Sequence, residues 1–170
     1  LGITREKLNQ IQRYRKSSHA VVISGLRRVG KSTLLAQIAH KFYTAGNYYY
    51  VNFEDERFLK FSADEFNLLY ETLLELFGER KTFLLDEIQN ISGWEHFVRR
   101  MIDQGFKFYI TGSNASLLSQ ELGTKLTGRY MPIELFPFSF TEFLAFNGQK
   151  IPNLSRLTTT RKIRLKRPAF

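Results

Sequence analysis

The sequence predicts a single α/β domain with a mainly parallel sheet, and three observations lead to it. Short β-branched or aromatic runs alternate with segments of helical periodicity along most of the 170 residues. A glycine-containing stretch, "GLRRVGKS" (25–32), falls between the first such run and the first strong helix. A later apolar run, "TFLLDE" (82–87), ends in two adjacent acids, where the strands of a parallel sheet present charge to a ligand.

The elements follow in order. Residues 3–16 read as a short basic helix, and "HAVVIS" (19–24) as a buried strand. From Lys31 onward Leu34, Leu35, Ile38, Ala39 and Phe42 share one helical face, closed by Gly46. "NYYYVNF" (47–53) is a second strand. Ser62 to Glu65 forms a capping box ahead of a helix with Phe66, Leu69, Leu73 and Leu76 inward. The third strand is 82–87. Ser92 to Glu95 is a second capping box, opening a helix with Phe97, Val98, Met101 and Ile102 inward and Gly105 past its end. "KFYITGSN" (107–114) is a fourth strand, after which Asn114 caps a short helix. "RYMPIEL" (129–135) is a fifth strand, and Pro132, which cannot donate to a ladder, assigns it to a sheet edge. Ser139 to Glu142 caps a last short helix ending near Asn147-Gly148.

Composition limits the function classes. At 43% hydrophobic the chain builds one real core, and with no cysteine it makes neither disulfides nor thiolate metal sites. His19, His40 and His96 lack ligand spacing. No apolar run suits a bilayer span, and the polar N-terminus lacks a signal-peptide centre, so a soluble, cytoplasmic protein is expected. The net charge of +9 is concentrated at the end: residues 154–170 carry six Lys/Arg and no acid. That tail suits either phosphate contacts with nucleic acid or a solvated terminus.

The stretch from Gly25 to Ser32 matches G-x-x-x-x-G-K-[ST] completely. Gly25 and Gly30 let the backbone curl so that the N–H groups of Leu26, Arg27, Arg28, Val29 and the residues up to Thr33 point at phosphate oxygens, and the helix that begins at Lys31 adds its positive end. Lys31 reaches the β and γ phosphates and the Ser32 hydroxyl takes Mg²⁺. A chance match in a chain of this length is rarer than roughly one in a hundred. Such a loop needs an acid for its metal. Asp86 fits that need, through water, while Glu87, pointing the other way if the strand continues regularly, orients and deprotonates the attacking water. Thr111, Ser113 and Asn114, at the end of the fourth strand, compete as sensors of the γ-phosphate. Arg129 is a candidate to stabilise transition-state charge, in cis or from a neighbour. Arg27 and Arg28 suit phosphate, a partner acid or solvent, and Glu54-Asp55-Glu56 reads as a solvated loop.

Together "SGLRRVGKSTLL", "FLLDEIQNISGWE", "YITGSNASLLS" and "LTGRYMPIELFPFSFTEFL" resemble the AAA-type P-loop ATPases of archaea and bacteria, over roughly residues 15–147. The resemblance implies a three-layer α/β/α P-loop NTPase fold with a five-stranded sheet in the order 5-1-4-3-2. It also implies ATP and Mg²⁺ as ligands, Lys31, Ser32, Asp86 and Glu87 as the site, and Gln89 as a recurring member of the acidic block. Residues 1–150 are then the ATPase domain, and 151–170 the start of a further C-terminal domain. The leading expectation is an ATP-hydrolysing switch or motor acting on a partner domain, protein or nucleic acid, with homo-oligomers allowed. A nucleotide-dependent binding module without turnover and a small-molecule kinase are the alternatives.

Overall fold

The computed structural model describes residues 2–112 and 125–149. The chain divides into two compact units, Leu1–Pro137 and Phe138–Phe170. The first unit contains a five-stranded parallel sheet of β1 (Ala20–Gly25), β2 (Tyr49–Asn52), β3 (Thr82–Asp86), β4 (Lys107–Gly112) and β5 (Tyr130–Leu135). The strand order is β2-β3-β4-β1-β5, the one expected. Its helices among the described residues are α1 (Lys7–Tyr14), α2 (Lys31–Phe42), α3 (Phe66–Phe77) and α4 (Trp94–Asp103).

Alternation along the strands sends side chains to two separate cores. Val21, Ile23, Leu84, Tyr109, Ile133 and Leu135 face Leu8 and Ile11 of α1 and Leu34, Leu35 and Ile38 of α2. Val22, Phe83, Leu85, Phe108 and Ile110 face Phe66 of α3 and Phe97, Val98, Met101 and Ile102 of α4. The second core is largely aromatic: Phe83 stacks on Phe108 at 5.1 Å, and Phe66 on Phe97 at 4.8 Å. The central strands are buried on both faces, which is why they read as continuous apolar runs.

Several expectations are corrected. Helix α1 begins at Lys7, not residue 3, because the Arg5 backbone N–H donates to the Gln37 side chain of α2 and Gln37 donates back to the Ile3 carbonyl. Leu76 is exposed, as are Leu74 and Phe77 beside it, so the last turn of α3 runs clear of the core that Leu69 and Leu73 pack against. The Ser92–Glu95 capping box does not form. Gly93, left-handed at φ 80°, is the N-cap of α4, and the Glu95 carboxylate pairs with Lys125 at 3.0 Å instead. The capping box at Ser62–Glu65 is present, and opens a short 3-10 turn before α3. Strand β5 pairs with β1 alone, so Pro132 sits on the edge as expected.

In the second unit, helix α5 (Phe140–Phe146) is capped by the Ser139–Glu142 box, and Phe138 packs on Phe146 at 5.4 Å. The division between units at Pro137 comes ahead of the composition shift near residue 150. The basic tail lies outside the described residues.

Candidate functional site

Strand β1 ends at Gly25, where the loop must turn under the end of β5. A Cβ at Gly25 would collide with the Leu135 carbonyl oxygen, so only glycine allows this approach. The loop then climbs through Arg28, in the left-handed region at φ 63°, to Gly30 at φ 96°. Gly30 is the N-cap of α2 and its carbonyl accepts from the Leu34 N–H at 2.9 Å. This conformation leaves Ser32 and Thr33 exposed on the first turn of α2, where free N–H groups favour an anion.

Lys31 is buried, and its Nζ lies under the loop. It donates to the carbonyls of Gly25 at 3.4 Å and Leu26 at 3.2 Å, and approaches Glu87 Oε1 at 3.5 Å. The loop lysine and the second acid of the pair therefore face one another across the site.

The two acids are held differently. Asp86, the last residue of β3, is 2% exposed and lies on the α2 side of the sheet. Its Oδ1 accepts from the Thr111 hydroxyl, and its Oδ2 from the Tyr50 hydroxyl at 3.3 Å. Burial, with the Asp86 charge and hydrogen bond behind it, pushes Tyr50 up to about 12. Glu87 does not continue the strand. Its backbone turns left-handed, φ 52° and ψ 42°, and its N–H donates to Thr111 Oγ1 at 3.0 Å. The turn brings its carboxylate to Lys31 from a different direction than a regular strand gives. A 3-10 turn, Ile88–Asn90, follows, and from it Gln89 Nε2 donates to Glu87 Oε2 at 2.6 Å. One threonine thus braces both acids, the first through its side chain and the second through its backbone.

The loop, the start of α2, Glu87, Gln89 and Glu54 line a single cavity of about 580 Å³. At its mouth Arg27 pairs with Glu54 at 3.3 Å, both side chains largely exposed. Glu54 belongs to the stretch expected to be a solvated loop, and it is exposed there while also standing on the cavity wall. Its neighbour Asp55 caps a 3-10 turn and pairs with Arg57 at 2.7 Å, away from the cavity lining.

A profile described as an AAA domain matches residues 17–144, which include every element of this site. The chain belongs to the AAA domain family. It is 41% identical over 144 residues to the uncharacterized protein MJ1544 of Methanocaldococcus jannaschii. It is 39% identical over 163 residues to an uncharacterized protein of Haemophilus influenzae. Those matches cover 85% and 91% of this chain but only 32% and 40% of the relatives, so it spans about a third to two fifths of their length. Two solved structures share the fold at low identity. Domain III of the Thermotoga maritima replication initiation protein DnaA has a TM-score of 0.53 at 13% identity, covering 98% of this chain and 78% of that one. The Aeropyrum pernix ORC1 protein, solved in complex with DNA, has a TM-score of 0.56 at 12% identity, covering 87% and 50%. The chain is an AAA-type P-loop ATPase core.

Within this AAA domain the remaining candidates fall in different places. Thr111 is committed to the acidic pair, so of the three sensor candidates it is the one the structure ties to Asp86. Ser113 and Asn114 lie outside the described residues. Arg129 precedes β5, which runs parallel to β1 with Tyr130 opposite Ala20. It therefore sits at the sheet edge opposite Gly25, about 17 Å away at strand rise, and pairs there with Asp103 at 3.1 Å. The loop leaves β1 at Gly25, from the other ends of the strands.

Two residues escaped sequence reasoning. Arg5 is buried, and its guanidinium donates to the Val29 carbonyl of the loop at 2.8 Å and to the Phe136 carbonyl after β5 at 2.6 Å. It stood in a basic segment with nothing to separate it from its solvated neighbours. Tyr50 read as one aromatic of an edge strand; its alternation with buried Tyr49 and Val51 was the one available sign that it faced elsewhere.

Proposed function

We propose that this AAA domain binds ATP with Mg²⁺ and hydrolyses it, acting as a switch or motor for the rest of a longer protein or for a partner. The supporting observation is the meeting of Lys31 and Glu87 across the phosphate loop, one residue beyond a buried Asp86. The backbone from Gly25 to Thr33 wraps the phosphates, and Lys31 exchanges its loop carbonyls for phosphate oxygens. Among the described residues no cluster of three or more His, Cys, Asp or Glu could hold a metal ion. The Ser32 hydroxyl offers a hard oxygen ligand of the kind Mg²⁺ takes, and Asp86 would meet the ion through water. Mg²⁺ held there neutralises charge on the phosphates.

Glu87 takes the proton of the attacking water. Its carboxylate is partly exposed and lines the cavity, whereas Asp86 is sealed beneath it, so the two acids divide the work as charge placement and proton transfer. Ser113 and Asn114 stand as sensor candidates, and Arg129 as an arginine supplied to a neighbouring copy. Residues 1–150 are the ATPase domain, and 151–170 lead into a further domain.

The experiment is ATP hydrolysis by the wild-type protein, Lys31→Ala and Glu87→Gln, with and without DNA or RNA. Lys31→Ala is expected to lose nucleotide affinity. Glu87→Gln is expected to bind ATP normally and lose turnover by about 100-fold or more. Wild-type hydrolysis by Glu87→Gln would show that the proton goes elsewhere.

A further inference from the structure

We infer that Gln89 is a positioning residue for Glu87, its amide fixing the carboxylate so that Oε1 faces Lys31 and the cavity. The inference rests on the reading of Glu87 as proton acceptor.

Two residues apart on a strand, side chains i and i+2 share a face but stand about 7 Å apart; on an α-helix they point well away from each other. Here the left-handed backbone of Glu87 and the tight 3-10 turn after it bring them together, and Gln89 Nε2 donates to Glu87 Oε2 at 2.6 Å. The turn is itself anchored. Ile88 is fully buried, and Asn90 Nδ2 donates to the Phe53 carbonyl at 3.2 Å. Gln89 is therefore presented from a fixed platform.

The geometry distinguishes the two carboxylate oxygens. Oε2 takes the amide at 2.6 Å, while Oε1 lies 3.5 Å from the Lys31 ammonium, longer than a hydrogen bond. A glutamate has three side-chain torsions, and nothing in the Lys31 contact alone stops it from turning both oxygens toward the ammonium. Such a closed ion pair would remove the base from water and the lysine from phosphate together. The amide opposes that collapse with a charge-assisted hydrogen bond.

The test compares single-turnover ATP hydrolysis and binding of a fluorescent ATP analogue in the wild type, Gln89→Ala, Gln89→Glu, Glu87→Gln and the double variant Glu87→Gln/Gln89→Ala. Gln89→Ala is expected to hydrolyse about 10- to 100-fold more slowly with analogue affinity within about twofold. Gln89→Glu keeps the shape, loses the donor and adds repulsion, so it is expected to fall at least as far. In the Glu87→Gln background, Gln89→Ala is expected to change nothing further, because it acts through the group already removed. A purely structural role would instead lower the rate by the same factor in both backgrounds, which would overturn the inference. A Gln89→Ala rate within about threefold of wild type, beside an inactive Glu87→Gln, would overturn it while leaving the role of Glu87 standing. A fully active Glu87→Gln would overturn both.

Discussion

Lys107 opens β4 and holds the other end of the sheet together. Its Nζ donates to the main-chain carbonyls of Tyr14 at 2.7 Å, Ser17 at 3.0 Å and His19 at 2.6 Å. These three acceptors are the end of α1 and the loop that enters β1, the strand that carries the phosphate loop. Burial pulls Lys107 down to about 8, so at pH 7 the ammonium with all three donors is present. Lys107→Met keeps the aliphatic stem and removes the donors. A hydrogen bond from a charged group contributes about 1.5–3 kcal/mol. The three share one ion whose burial carries its own desolvation cost, and their carbonyls regain some water, so a net loss of about 1–2 kcal/mol is expected, far below the full sum. For a chain of this size that corresponds to a fall in Tm of about 2–8 °C. Urea unfolding at pH 7 measures the first figure, and thermal unfolding by circular dichroism the second. A variant within about 0.5 kcal/mol of wild type would refute the claim that this ammonium fastens α1 to the sheet.

Other consequences are smaller in scope. Gly25→Ala should drive its Cβ onto the Leu135 carbonyl, backbone against backbone with no side chain to give way, and is expected to abolish nucleotide binding and lower Tm. A Gly25→Ala protein that binds an ATP analogue like wild type would contradict the close approach. Thr111→Val removes the hydroxyl that serves both acids, leaving Asp86 one partner short in a buried place. It is expected to slow hydrolysis by about 10-fold or more while barely changing volume, readable in the same turnover assay. Asp55 is held down to about 2, first by its side-chain hydrogen bond from Arg57 and then by the Arg57 backbone N–H. Its contribution to stability is present above the ordinary aspartate value near 3.9 and disappears as pH falls toward 2. NMR titration of the Asp55 carboxyl should show this, and Arg57→Ala should move it back up.

The architecture was largely legible in the chain because its signals are local. Buried parallel strands need unbroken apolar runs, so "AVVIS", "TFLL" and "FYI" announce themselves, and a proline inside a strand already assigns that strand to an edge. The phosphate loop is legible for the same reason: two glycines, a lysine and a serine at fixed spacing do their work within eight residues. Strand order followed from the resemblance to AAA-type ATPases and not from any residue pattern. Local signals failed where a distant group competed. Ser92 and Glu95 spell a capping box, yet Glu95 is drawn to Lys125 and Gly93 takes the helix end.

By itself, then, the sequence determined that this AAA domain has a parallel sheet, a loop shaped for phosphate and an acidic pair at a strand end. Tertiary structure decided where each acid stands and what it touches. Asp86 is sealed under Tyr50 and Thr111, while a left-handed backbone swings Glu87 out to meet Lys31 and Gln89. It also put Arg129 at the opposite end of the strands from the loop, paired with Asp103, and made Arg5 a strut between the loop and β5. The reason is the same in each case. A carboxylate or guanidinium takes its role from the charges and carbonyls within about 4 Å, and those neighbours come from strands and loops far along the chain, in a register that local sequence does not encode.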